Sequence, residues 1–156
     1  MLHGSIQEIL ICENSGDNLQ YVDEANLIQG RGIEGDRYFN KTGTFSKDLE
    51  GGGDFEVTLI ESEEIDSFNK KTGLDYQSTL FRRNIVTQNI RLNELVGKQF
   101  SIGDTVLFGA RLCEPCAYLS GLLGDEIMQH MVHKSGLRAI IQQGGIIQTG
   151  ATIASI

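Results

Sequence analysis

Apolar positions in this chain recur in short runs, many of them alternating with polar ones, and glycine separates one run from the next. Such alternation marks strands with one buried face. Residues 5–12 predict a first strand, followed by a turn at Asn14-Ser15-Gly16-Asp17-Asn18 and an extended stretch over 21–28. Gly30-Arg31-Gly32-Ile33-Glu34-Gly35-Asp36-Arg37-Tyr38 is polar and glycine-punctuated, which predicts a shaped loop. Residues 42–54, with Gly51-Gly52-Gly53, read as a mobile surface loop. Residues 55–60 predict a strand and 63–72 a helix. Ser62 is its expected N-cap, Glu63 and Glu64 come early, Lys70 and Lys71 late, and Gly73 ends it. A strand over 83–88, a helical turn over 93–97, and paired strands 99–102 and 105–112 around Gly103-Asp104 follow. Residues 117–123 and 125–134 read as helical. Residues 137–142 and 146–153, joined by Gly144-Gly145, read as a closing hairpin.

Strands are therefore spread over the whole length, while helices are few and clustered. That distribution predicts a mainly β protein, a β-barrel with a few peripheral helices, rather than an alternating α/β sheet. With 156 residues and no internal repeat, the expectation is a single domain over 1–156.

Charge and cysteine usage narrow the partners. A net charge of −8 argues against nucleic acid, whose phosphates need a basic surface, but leaves room for a local basic pocket. No apolar run approaches the roughly 18 residues of a membrane helix. The start, Met1-Leu2-His3-Gly4, lacks a signal-peptide pattern. Three cysteines, an odd number, argue against a disulfide framework. The expectation is a cytoplasmic protein without a membrane partner.

The chemistry concentrates in Cys113-Glu114-Pro115-Cys116, which holds two of the three cysteines and the only proline. Proline fixes one φ and turns the chain, so Cys116 is expected at the start of the next helix, where N–H groups and the helix dipole favour thiolate. Three readings compete. A thioredoxin-like redox site needs an early CxxC and a separate cis-proline, and this chain has neither. Zinc could use Cys113, Cys116, His130 and His133, spaced close to a zinc-finger pattern, with the two histidines sharing one helix face. The third reading is a lone thiolate at Cys116 acting as metal ligand or sulfur carrier, with Cys113 secondary. Elsewhere, Gly35, Asp36 and Arg37 offer backbone N–H groups and a charge to an anion. Arg82, Asn84 and Arg138 are candidates to line the same pocket, guanidinium being suited to phosphate or a pterin edge.

Taken in order, several segments resemble the MOSC domain, the module named after the C-terminal part of molybdenum cofactor sulfurases. They are Gly32-Ile33-Glu34-Gly35-Asp36-Arg37; Arg83-Asn84-Ile85-Val86-Thr87; Leu95-Val96-Gly97 followed by Phe100-Ser101-Ile102-Gly103-Asp104; Pro115-Cys116; Gly136-Leu137-Arg138-Ala139; and Gly144-Gly145-Ile146-Ile147-Gln148-Thr149-Gly150. The resemblance implies a mixed-strand β-barrel associated with the pyranopterin molybdenum cofactor (molybdopterin). It implies that Cys116 matches the family's molybdenum-ligating cysteine, and that Gly35, Asp36, Arg37, Arg82, Asn84 and Arg138 approach the cofactor. The function it implies is cofactor handling or sulfur transfer through a cysteine, with cofactor biosynthesis proteins as partners. One alternative is reduction of N-hydroxylated compounds with an external electron donor. The other is a barrel kept only for interactions.

Overall fold

The computed structural model describes residues 3–40, 56–115, 121, 124 and 126–156. Cys116, the expected loop over 42–54 and nearly all of the expected helix over 117–123 lie outside them. Eleven strands are described: β1 (His3–Ile11), β2 (Gln20–Val22), β3 (Glu24–Ile28), β4 (Gly32–Ile33), β5 (Val57–Glu61), β6 (Ile85–Gln88), β7 (Gln99–Ile102), β8 (Thr105–Leu112), β9 (Leu137–Gln143), β10 (Gly145–Gln148) and β11 (Thr152–Ser155). Among the described residues the α-helices are α1 (Ser62–Thr72) and α2 (Glu126–Met131).

Seven of the strands close into a barrel in the order β11-β7-β8-β9-β5-β6-β1, with β1 pairing β11 to complete the circle and β2 attached outside β1. Every barrel pairing is antiparallel except β5–β6, which is parallel, so the sheet is mixed as the resemblance implied. A parallel pair needs a crossover, and α1 supplies it, lying on the outer face of β5 and β6.

Strand composition follows this architecture. Val57 and Leu59 of β5 face the barrel core, while Ile60 faces a second apolar cluster with Ile65 and Phe68 of α1 and Phe81. All five positions of β5 are consequently buried. In β1, Ile6 and Ile9 both reach the core although three residues apart, because a bulge between Ile6 and Glu8 restores the inward phase. The 3-10 turn Leu92–Leu95 sends Leu92 and Leu95 into the same core. Gly109 admits that turn, since a Cβ there would lie 2.1 Å from the carbonyl oxygen of Leu95.

Two expectations are corrected. Residues 137–153 do not form a hairpin: β9 joins β8 and β5, β10 leaves the barrel to pair with β3, and β11 returns between β1 and β7. The chain can leave because Gly144 passes directly over β3, where a Cβ would lie 2.3 Å from the carbonyl oxygen of Leu27. The N-cap of α1 is Glu61 rather than Ser62, and its side chain makes no capping bond; it accepts the N–H of Leu92 instead. Gly73 ends the helix as expected, at φ 74°.

Candidate functional site

On the outer face of the barrel, one transverse row crosses five strands. Leu10 in β1 donates its N–H to the carbonyl of Asn84, which directly precedes β6, at 2.6 Å. Asn84 donates its N–H to the carbonyl of Thr58 in β5 at 3.0 Å. Thr58 is the register partner of Arg138 in β9, and Arg138 that of Arg111 in β8. Leu137 and Ala139 face the core, so strand alternation turns Arg138 outwards between them. Asn84 itself is fully buried. Its Oδ1 accepts from the N–H and hydroxyl of Thr58, both at 3.1 Å, and its Nδ2 donates to the carbonyl of Leu10 at 3.2 Å. That side chain is spent on joining three strands.

At the β1 end of the row, loop residues gather on Cys12. Gly35, at φ 89°, makes the turn that buries Asp36. The Asp36 carboxylate accepts from Arg37 Nη1 at 3.0 Å and from the N–H groups of Cys12 and Tyr38. Arg37 Nη1 and Arg82 Nη2 lie 3.8 and 3.7 Å from Cys12 Sγ. Burial opposes the Arg37 charge, but Asp36, with Tyr38 and Cys12, outweighs it and holds the Arg37 pKa above its ordinary value. Gly35, Asp36, Arg37 and Arg82 thus form one group around Cys12, which was not among the candidates from sequence.

Toward β9 the row meets the cysteine motif. Arg82 sits in the left-handed region at φ 60°, so the two adjacent arginines part: Arg82 goes to Cys12, while Arg83 is buried and donates Nε to the carbonyl of Ser135 at 2.9 Å. Cys113 follows β8 two residues after Arg111, is 1% exposed, and donates its N–H to the carbonyl of Gly136 at 2.8 Å. Four strand steps separate β1 from β8 by this route, so the Cys12 group and the Cys113 group occupy different ends of the row. Arg83, Arg111, Arg138 and Cys113 make up the second group. Arg111 was not a candidate from sequence, whereas Arg83 stood in the family-like segment Arg83-Asn84-Ile85-Val86-Thr87. The signal for Arg111 was its place two residues before Cys113 on an alternating strand.

The zinc arrangement loses its geometric basis, because His130 and His133 do not share a helix face. Helix α2 ends at Met131, and His133 lies beyond it at φ 62°, its imidazole paired with Glu114. His130 packs edge-on against Phe68. The mixed barrel likewise removes the thioredoxin reading. Among the described residues, no group of three or more His, Cys, Asp or Glu side chains is placed to hold a metal ion.

Two buried carboxylates lie away from both groups. Burial pushes the Glu56 carboxyl above its ordinary pKa, opposed by the N–H groups of Ile141 and Gly30. Burial does the same at Glu61, with Leu92 and Arg91 opposing it. A carboxyl raised in the folded state contributes stability below its unfolded pKa and loses it as pH rises through the folded value. Glu56→Gln, which removes the charge, is therefore expected to gain stability relative to the parent as pH rises from 4 to 7, by about 1.4 kcal/mol per tenfold of proton affinity. Urea unfolding at several pH values checks this; a gain at pH 4 that vanishes at pH 7 contradicts it. A separate cleft of about 240 Å³ lies between β1 and α1, with Glu8, Asp66 and Asp75 in its lining. Its carboxylates make it a poor place for phosphate.

The family profile described as MOSC domain matches residues 46–154. The chain belongs to the MOSC domain family. The match begins after the Gly32–Arg37 segment and covers Arg83, Arg111, Cys113, Cys116 and Arg138. Among curated proteins, none matches the chain. Solved structures with the same fold include the YuaD protein of Bacillus subtilis, at TM-score 0.82 and 17% identity, covering 97% of this chain and 94% of that one. YiiM from Geobacillus stearothermophilus aligns at TM-score 0.73 and 16% identity, over 98% of this chain and 75% of its own. YiiM from Escherichia coli aligns at TM-score 0.68 and 16% identity, over 100% and 70%. This MOSC domain thus shares its barrel with proteins of very different sequence. The family is associated with molybdenum-cofactor-related proteins.

Proposed function

We propose that this MOSC domain binds the pyranopterin molybdenum cofactor and serves in its handling or in sulfur transfer, with Cys116 as the functional sulfur. The observation that carries the reading is the register pairing of Arg138 with Arg111 on the outer barrel face, two residues before Cys113. Like charges placed directly opposite on neighbouring strands repel. In a chain of net charge −8, two arginines at facing register positions, with Arg83 on the neighbouring loop, suit an anionic ligand. The donor set fits the cofactor: guanidinium groups for its phosphate and pterin edge, and a thiol for a soft, sulfur-rich metal. Arg138, Arg111 and Arg83 would hold the anionic end, and Asn84 ties β5, the strand beside β9, to β1. When bound, the cofactor supplies oxygen-atom and electron transfer at molybdenum. Partners in this reading are cofactor biosynthesis proteins, and the compartment is the cytoplasm.

Arg138→Met keeps most of the side-chain stem and removes the charge. It is expected to retain the fold and to lower pterin content, in protein from a host that makes the cofactor, by about tenfold. Unchanged pterin content would remove Arg138 from the site. Reduction of a hydroxylamine by cofactor-loaded protein with an artificial reductant would move the reading to the reductase alternative.

A further inference from the structure

We propose that Cys12 is a site of oxidative modification, a thiol that a hydroperoxide converts to a sulfenate held by Arg37 and Arg82. Two guanidiniums converge on this sulfur: Arg37 Nη1 lies at 3.8 Å and Arg82 Nη2 at 3.7 Å, both within hydrogen-bonding reach of Sγ. Each is fixed by contacts other than the sulfur. The Asp36 carboxylate holds Arg37 Nη1 at 3.0 Å and also accepts the N–H of Cys12 at 3.2 Å. Arg37 Nη2 donates to the carbonyl of Arg82 at 2.9 Å, which links the two arginines. Arg82 Nη1 donates to the carbonyl of Asp17 at 2.9 Å. The backbone of Arg82 is left-handed, at φ 60°, which is costly for a residue with a Cβ and persists where surrounding contacts impose it.

Charge decides what this arrangement favours. Asp36 pairs with Arg37, whereas Arg82 pairs with no carboxylate among the described residues. The group at Arg82 Nη2 that can take a negative charge is Cys12 Sγ. Cationic neighbours favour the thiolate, the form that attacks peroxides, and charged N–H donors favour an oxyanion on the oxidised sulfur. Among the described residues, no charged side chain contacts the sulfur of Cys113, so the two buried thiols differ in surroundings rather than in depth. Cys12 is 4% exposed, and its cover includes the Asn14 carbonyl, which accepts the thiol S–H at 3.4 Å from within the exposed 13–18 turn. Local opening of an exposed turn costs little, which admits a molecule as small as hydrogen peroxide. The sulfur attacks one peroxide oxygen; an S–O bond forms as the O–O bond breaks, and sulfur loses the two electrons that peroxide gains. The leaving hydroxide takes the proton that the thiol released and departs as water. None of this uses Arg83, Arg111, Arg138 or Cys116.

The test is timed exposure of the folded full chain to hydrogen peroxide, followed by unfolding in dimedone to trap sulfenate and by peptide mass spectrometry at each cysteine. Cys12 is expected to oxidise about tenfold faster than Cys113. Arg82→Met, which keeps most of the stem and removes the charge, is expected to slow Cys12 about tenfold. Arg82→Lys, which keeps a charge, is expected to slow it by less than about threefold. Wild-type Cys12 oxidising no faster than Cys113, an unchanged rate in Arg82→Met, or equal slowing in both variants overturns the inference. If Arg82→Met fails to fold, Arg82→Gln takes its place: slowing of about tenfold supports the inference, and an unchanged rate overturns it.

Discussion

Asn84→Ala is expected to cost this protein about 3 kcal/mol or more of folding stability. The substitution removes one side chain and strands polar groups on two other strands. The N–H of Thr58 in β5 loses its Oδ1 acceptor, the Thr58 hydroxyl loses the same partner, and the carbonyl of Leu10 in β1 loses the Nδ2 donor. Asn84 and Thr58 are at most 1% exposed, so water cannot replace those bonds without opening the barrel. Each stranded buried group costs roughly 1–3 kcal/mol, against a total stability of about 5–15 kcal/mol for an ordinary domain. The loss should appear as a lower urea midpoint at unchanged slope. A loss below about 1 kcal/mol would show that the three strands are not held through Asn84.

Cys116→Ser is expected to abolish retention of cofactor or of persulfide sulfur while leaving the fold intact, because the swap is nearly isosteric. Cys113→Ser is expected to weaken retention far less. Access separates the two cysteines. Cys113 is 1% exposed, follows directly on β8, and has its N–H committed to Gly136, which suits a packed core thiol. Cys116 is the other cysteine of the motif and follows Pro115 directly in sequence. Sulfane sulfur released by cyanide, and pterin released by acid, give the two readouts for each variant. Equal retention in Cys116→Ser and wild type, or complete loss only in Cys113→Ser, would reverse the assignment.

Much of the barrel was legible because its strands carry their own pattern. The alternation of β5, the apolar run of β8 and the Gly103-Asp104 turn between β7 and β8 depend on local physics, and so does Gly73 at the end of α1. What could not be read was pairing across distance. Nothing local distinguishes β10 as a partner of β3 from a partner of β9; the close pass of Gly144 over Leu27 decides it. The site shows the same division. The Gly35-Asp36-Arg37 turn and the cysteine motif stand out as motifs. Arg111 becomes a candidate only when β8 and β9 are in register, and Cys12 only when Arg37 and Arg82 arrive from loops 25 and 70 residues away in sequence. Asn84 stood out for a pocket role, yet its amide has the two-sided chemistry that three adjoining strands use up.

The arginine group and Cys116 are proposed to hold a molybdenum pterin together. The most direct measurement is elemental and pterin analysis of wild-type protein purified from a host that makes the cofactor, beside a known molybdenum-cofactor protein from the same cells. Molybdenum and pterin are expected together, approaching about one of each per chain. Wild-type protein free of both, beside a loaded control, would contradict it.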